Sequence, residues 1–110
     1  MSKIFNKIQE TLENNDVVLF MKGTKDFPQC GFSAATSHIL NSLGVDFLDV
    51  DVLKDMDIRQ GIKEFSDWPT IPQLYIKGEF IGGCDIIKEM KESGELEELL
   101  KEKNIIVIGG

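Results

Sequence analysis

One short segment, Val17–Met21, constrains the fold of this chain more than any other. It is a run of apolar residues with no polar position, and such a strand fits best in a sheet that is covered on both faces. Apolar residues recur at helical spacing on either side of it, at Ile4, Phe5, Ile8 and Leu12 before the run and at Phe32, Ala35, Ile39 and Leu43 after it. A buried strand between two amphipathic helices indicates an α/β protein.

The rest of the chain continues this alternation. Val45–Val50 has the composition of a second strand, and the helix after it would begin at Asp55 or Asp57. Two short strands around Lys77-Gly78 predict a hairpin, and two helices separated at Ser93-Gly94 follow it. The predicted order is α-β-α-β-α-β-β-α-α. A β-α-β start favours parallel pairing and a hairpin is antiparallel, so we predict a four-stranded mixed sheet flanked by helices.

The length of the chain sets its domain organisation. A chain of 110 residues is long enough for one hydrophobic core and too short for two. We therefore predict a single domain over residues 1–110 that includes a short C-terminal tail at 104–110. Within this tail, Ile105–Ile108 has the composition of a strand, but the pattern gives it no place in the sheet.

Charge and hydropathy exclude several classes of partner. The net charge of −7 argues against nucleic acid, because the phosphate backbone would repel the chain. The longest apolar runs are far too short to span a bilayer, which argues against a membrane protein. The N-terminus shows neither an apolar nor an arginine-rich leader. We expect a cytoplasmic protein, or one of the mitochondrial matrix if it is eukaryotic and processed.

Cys30 is the principal candidate for chemistry. It lies between a proline-containing loop and the predicted start of the second helix, where free N–H groups and the helix dipole stabilise a thiolate. Lys22, at the end of the first strand, would add positive charge nearby. The alternative is a buried structural cysteine, which is less typical between Gln29 and Gly31. Ser33 stands where a C-x-x-C motif carries its resolving thiol, so we predict a site with one reactive thiol.

Two later motifs are candidates for binding. Pro69 and Pro72 precede a strand and predict either a cis bond before Pro72 or a plain rigid turn. A cis proline would expose backbone groups with which an extended peptide could pair. In Gly82–Asp85, paired glycines allow a ligand to approach the backbone, and a helix N-terminus favours a carboxylate. Alternatively, Asp85 is only a helix N-cap and Cys84 only fills the core.

The remaining candidates are isolated residues. Arg59 is the single arginine, and its planar guanidinium suits a carboxylate, although a solvated surface charge is the ordinary role of a helical arginine. His38 is expected on an exposed helix face. One histidine and two cysteines are too few for a closed zinc site. The two cysteines would form a bridge in a secreted domain, whereas in an intracellular chain they would be free thiols.

Four segments together resemble the monothiol glutaredoxins. They are Phe-Met-Lys-Gly-Thr at 20–24, Pro-Gln-Cys-Gly-Phe-Ser at 28–33, Trp-Pro-Thr-Ile-Pro-Gln-Leu-Tyr at 68–75 and Gly-Gly-Cys-Asp at 82–85. The similarity holds in order and spacing over residues 3–103, and the Cys-Gly-Phe-Ser centre is its most specific part. It implies a thioredoxin-like fold, a glutathione site and a [2Fe-2S] cluster with Cys30 as its ligand and as the reactive thiol.

The same resemblance implies roles for the other site residues. Lys22 and Arg59 would hold the glycyl carboxylate of glutathione. Ile71, before the proline at 72, would pair its backbone with the cysteinyl backbone of glutathione. Cys84 and Asp85 would take the γ-glutamyl end, through backbone N–H groups and the Asp85 carboxylate.

The function that the resemblance implies is glutathione-dependent binding and transfer of [2Fe-2S] clusters in iron–sulfur protein biogenesis and iron homeostasis. A cluster needs four thiolates, so two chains with two glutathiones would form a cluster-bridged homodimer that delivers the cluster to apo iron–sulfur proteins. Two alternatives remain open. One is a glutathione-dependent thiol–disulfide oxidoreductase that uses Cys30, and the other is a regulatory partner of a BolA-like protein. A cysteine at position 84 also permits a disulfide with Cys30.

Overall fold

The computed structural model describes residues 2–109. Within them the chain forms five helices and four strands: α1 (Lys3–Asn14), β1 (Val17–Met21), α2 (Gly31–Ser42), β2 (Leu48–Asp51), α3 (Met56–Ser66), β3 (Gln73–Ile76), β4 (Glu79–Gly82), α4 (Cys84–Ser93) and α5 (Glu95–Glu102). This is the order that the apolar pattern predicts. Of the two candidate starts for α3, Asp55 is the N-cap, and its carboxylate accepts hydrogen bonds from the N–H groups of Asp57 and Ile58.

The four strands form one mixed sheet in the order β2-β1-β3-β4. β1 is parallel to β2 and antiparallel to β3, and β3 pairs with β4 through the predicted hairpin. The predicted second strand differs from β2, which begins at Leu48. Val45 and Phe47 lie before the strand and are nevertheless buried, so their apolar character reflects burial in the core and not membership of the sheet.

The central strand divides the hydrophobic core in two. Side chains alternate between the faces of a strand, so Val17, Leu19 and Met21 enter one core cluster and Val18 and Phe20 the other. The first cluster is completed by α2, α4 and α5, and the second by α1 and α3. All five positions of β1 are buried, as the continuous apolar run predicts.

The tail contributes to the core without forming a strand. Ile105 and Val107 pack against the first core cluster, whereas Ile106 and Ile108 are exposed. The Gly109 N–H donates a hydrogen bond of 2.8 Å to the carbonyl of Leu43, beyond the end of α2. The strand-like composition of the tail therefore reflects an extended segment that packs by alternate side chains. Within residues 2–109, every helix is too short or too polar to cross a membrane.

Candidate functional site

Cys30 lies where the sequence places it, at the N-terminus of α2. It is the N-cap residue, with extended backbone (φ −151°, ψ 137°), and its side chain is partly exposed. The backbone N–H of Ser33 is the main reason that the pKa of Cys30 is lowered. Burial, the second-largest effect, opposes this shift, while the N–H of Phe32, the charge of Lys22 and the Ser33 hydroxyl add to it. The site therefore favours the thiolate, the nucleophilic and metal-binding form.

The loop before Cys30 is held by carboxylates of β2. Asp51 accepts a hydrogen bond of 2.9 Å from the Gly23 N–H, and Asp49 accepts one of 2.7 Å from the Lys25 N–H. Gly23 has φ +90°, and a Cβ there would lie 2.5 Å from the backbone oxygen of Phe27. Only glycine fits at this turn. The role of these two aspartates was not predicted, because they are distant in sequence from the loop that they hold.

Ser33, which stands in the place of a second thiol, also has a structural role. Its side chain is completely buried, and its hydroxyl oxygen accepts a hydrogen bond of 3.0 Å from the backbone N–H of Lys22. The first turn of α2 is thereby joined to the end of β1. Sequence reasoning identified only the missing thiol, since the bond depends on how α2 packs against the sheet.

A groove lies between the segment before β3 and the start of α4, and it reaches Phe32, two residues after Cys30. It has a volume of about 200 Å³. Its lining consists of Phe32, Trp68, Thr70, Ile71, Pro72 and Gly83–Ile86. The Ile71–Pro72 peptide bond is cis, which decides between the two predicted turn geometries. Within residues 2–109, the backbone N–H and C=O of Ile71 have no hydrogen-bond partner, and an extended ligand could pair with them.

The N-terminus of α4 forms the opposite wall. Gly83 is the N-cap and provides no side-chain cap, so the first N–H groups of the helix are left for a ligand or solvent. Asp85 is the second residue of α4 and is exposed; the alternative in which it serves only as the N-cap is therefore wrong. Cys84 is buried and lines the groove, and both it and Cys30 are free thiols.

The paired glycines let the two walls approach each other. Gly82 has φ +158°, and a Cβ there would lie 2.8 Å from Ile86 of α4. A Cβ on Gly83 would lie 3.3 Å from both the Pro72 oxygen and Trp68 Nε1. Gly83 thus serves the contact between α4 and the cis-proline segment, and Gly82 makes room for the first turn of α4. Trp68 Nε1 is shielded from solvent and, among residues 2–109, has no hydrogen-bond partner.

The two candidate cations border the same end of the sheet. Lys22 follows β1 directly, and the Val52 N–H, just after the parallel strand β2, bonds to the Met21 carbonyl at 2.9 Å. α3 begins shortly beyond and carries Arg59 one turn from its start. Both cations are half-buried and form no salt bridge within the part of the chain that the structure describes.

The surroundings of Cys30 are unexpectedly apolar. The spacing of Phe32 predicts a place on the apolar face of α2, but the side chain is 62% exposed and lies in the first turn, against the groove. Phe27, in the preceding loop, is 74% exposed. Helical spacing could not distinguish Phe32 from a core residue. His38 is exposed on α2, as expected.

Comparisons with known proteins agree with this geometry. The model of the family described as Glutaredoxin matches residues 17–81. The Rickettsia typhi protein "Probable monothiol glutaredoxin 2" is 56% identical over 100 residues, which cover 91% of this chain and 90% of the relative. The Saccharomyces cerevisiae protein "Monothiol glutaredoxin-5, mitochondrial" is 54% identical over 109 residues, which cover 96% of this chain and 73% of the relative.

Solved structures share the fold. The solution structure of a monomeric truncated mutant of Trypanosoma brucei 1-C-Grx1 superposes with a TM-score of 0.87 at 41% identity, covering 97% of each chain. The crystal structure of a buckwheat glutaredoxin–glutathione complex superposes with a TM-score of 0.82 at 25% identity, covering 94% of this chain and 93% of the other. The predicted thioredoxin-like fold is confirmed. This chain, with one thiol at the start of α2 and serine three residues later, belongs to the glutaredoxin family, in its monothiol group.

Proposed function

We propose that this protein is a glutathione-dependent carrier of [2Fe-2S] clusters. The observation that carries the proposal is the single stabilised thiolate of Cys30, which lies two residues before the groove-lining Phe32 and has Ser33 in place of a resolving thiol. The chain lacks the local partner for a disulfide cycle at this position, but a lone thiolate is suited to bind metal.

The groove has the donors and acceptors that glutathione requires. Glutathione is a short extended peptide with two carboxylates, one amino group and one thiol. The free backbone of Ile71 would pair with its cysteinyl residue, and the uncapped N–H groups of Cys84 and Asp85 would bind the γ-glutamyl carboxylate. The exposed Asp85 carboxylate would accept from the γ-glutamyl amino group. Lys22 and Arg59 would bind the glycyl carboxylate.

The assembly follows from the number of thiolates. A [2Fe-2S] cluster takes four, and this site provides one from Cys30 and one from a bound glutathione. Two chains and two glutathiones therefore complete the set, with the cluster as cargo between them. The exposed Phe27 and Phe32 flank the thiol and would be covered in such a dimer. The recipients would be apo iron–sulfur proteins that present free thiolates.

A thiol–disulfide oxidoreductase is the second candidate, and the lowered pKa of Cys30 favours it. The Cys30 thiolate could attack a glutathione mixed disulfide, take the glutathionyl group and release the substrate thiol. A second glutathione would then regenerate Cys30 and leave as glutathione disulfide. This cycle needs only one protein thiol.

Anaerobic reconstitution with iron, sulfide and glutathione tests the proposal. We expect visible absorption from the wild-type protein only when glutathione is present, and native mass spectrometry should count two chains and two glutathiones per cluster. Cys30→Ser should abolish assembly because it removes the protein ligand, while the matched variant Cys84→Ser should retain it. A cluster-loaded monomer, a glutathione-free cluster dimer or the opposite response of the two variants would contradict the ligand assignment.

A further inference from the structure

Gln73, the first residue of β3, has a completely buried side chain. Buried polar side chains are retained when their hydrogen bonds are satisfied. The Gln73 amide nitrogen donates to the carbonyls of Trp68 and Thr70, each at 3.1 Å. Both of its N–H bonds are therefore used on the segment that forms one wall of the groove.

The acceptors around the Gln73 amide determine which way it points. The carbonyls of Trp68 and Thr70 can only accept hydrogen bonds, so the amide nitrogen must face them. Gln73 Oε1 then faces Tyr75, whose hydroxyl donates to it at 3.3 Å. Burial raises the pKa of Tyr75 to about 12, so the hydroxyl has a proton to donate at neutral pH.

The bond to Thr70 has a consequence for the next residue. The C=O of Thr70 and the N–H of Ile71 belong to one planar trans peptide group, in which they point in opposite directions. Since Gln73 draws the Thr70 carbonyl toward the protein interior, the Ile71 N–H is turned away from it, toward the groove that Ile71 lines.

We propose that Gln73 is a positioning residue of the ligand groove: through the Thr70 carbonyl it presents the Ile71 N–H to the bound peptide. The inference rests on the proposed glutathione site. Gln73 does not touch Cys30, so its loss should weaken glutathione binding and leave the reactivity of the thiol unchanged.

The test compares Gln73→Met with a control of similar instability. Methionine has nearly the same shape but cannot hydrogen-bond to either carbonyl. Leu100→Val alters the first core cluster, on the other face of the sheet, and urea denaturation establishes that both variants are folded and similarly destabilised. Tyr75→Phe is a milder second variant, because it removes only the donor to Gln73 Oε1.

Reduced glutathione is titrated into each full-length protein and followed by ¹⁵N–¹H NMR. We expect Gln73→Met to weaken binding about five- to tenfold, as the loss of about one hydrogen bond implies. Tyr75→Phe should show a smaller loss, and Leu100→Val should stay within about twofold of the wild type. The Ile71 amide resonance should move downfield with glutathione in the wild type but not in Gln73→Met. Cys30 should be alkylated by iodoacetamide at the wild-type rate in all variants.

The possible failures are distinguishable. If the wild-type protein does not bind glutathione, the proposed function is wrong and the role of Gln73 is lost with it. If the wild type binds but Gln73→Met binds equally well, only the positioning role is refuted. An equal loss of affinity in Leu100→Val would also refute it, because general destabilisation would then explain the effect. If Gln73→Met does not fold, unchanged binding by Tyr75→Phe would refute it as well.

Discussion

Ser33→Ala tests whether the hydroxyl that replaces the second thiol holds the reactive site together. The Ser33 oxygen is completely buried and accepts the Lys22 N–H at 3.0 Å. Alanine leaves that partly buried N–H without a partner, and the loss of a buried acceptor costs about 1–3 kcal/mol. In a domain of this size, each kcal/mol lowers the melting temperature by about 4–8 °C.

Ser37→Ala is the matched control. Ser37 lies one turn further along α2 and is equally buried, but its hydroxyl has no hydrogen-bond partner within residues 2–109. Replacing Ser37 with alanine removes an unsatisfied polar atom and leaves no other group without a hydrogen-bond partner. We therefore expect the free energy of unfolding of Ser37→Ala to lie within about 0.5 kcal/mol of the wild type, or to rise.

Urea denaturation followed by circular dichroism measures the difference between the two variants. We expect Ser33→Ala to be about 1–3 kcal/mol less stable than Ser37→Ala. Alkylation of Cys30 against pH should show a small rise in its pKa in Ser33→Ala only. The rise is small because the backbone N–H of residue 33, the largest cause of the lowered pKa, remains in the variant. Equal stability of the two variants would refute the structural role of the Ser33 hydroxyl.

Three further predictions follow from the site. Lys22→Ala and Arg59→Ala should each weaken glutathione binding by about 1 kcal/mol, measured by calorimetry. Unchanged affinity in both variants would show that the two residues are ordinary surface charges with no role in binding. Gly83→Ala adds a methyl group 3.3 Å from Trp68 Nε1 and should lower both the melting temperature and the affinity for glutathione. Unchanged values would show that Trp68 and the cis-proline segment move to accommodate the methyl group at no cost. The pKa of Cys30 is lower in the folded state than in the unfolded state. The thiolate therefore contributes its full share to the free energy of unfolding above the unfolded-state thiol pKa, and this contribution is lost as the pH falls through the folded-state pKa. The stability of the wild type relative to Cys30→Ser should therefore grow as the pH rises toward the ordinary thiol pKa of about 8.5, and a difference that does not change with pH would contradict the lowered pKa.

Local patterns were enough for the elements and for the reactive thiol. Helical and strand periodicities extend over a few residues, so the order of the nine elements could be predicted from the chain alone. The position of Cys30 at a helix start is also local, and the physical reason for a lowered pKa follows from that position. The predicted second strand begins three residues too early. Val45 and Phe47 are apolar because they are buried in the core outside the sheet, and not because they belong to a strand.

The contacts that hold the site were decided by tertiary structure. Ser33 meets the Lys22 backbone, and Asp51 meets Gly23, across 11 and 28 positions of the chain. Whether the bond before Pro72 is cis could not be read from the two prolines, since both geometries suit the same residues. Sequence spacing also failed to predict the exposure of Phe32. Its helical spacing is that of a core residue, and only the packing of α2 leaves its side chain exposed.

By itself, then, the sequence determined the chemistry available to this protein: one thiol at a helix start, a serine in the place of a second, and an α/β fold to carry them. These depend on neighbours within one or two turns of the chain. Tertiary structure decided what surrounds the thiol. The groove, the buried amide of Gln73 and the exposed phenylalanines each require segments from different elements to meet, and their hydrogen bonds and burial exist only once the two cores have closed on the sheet.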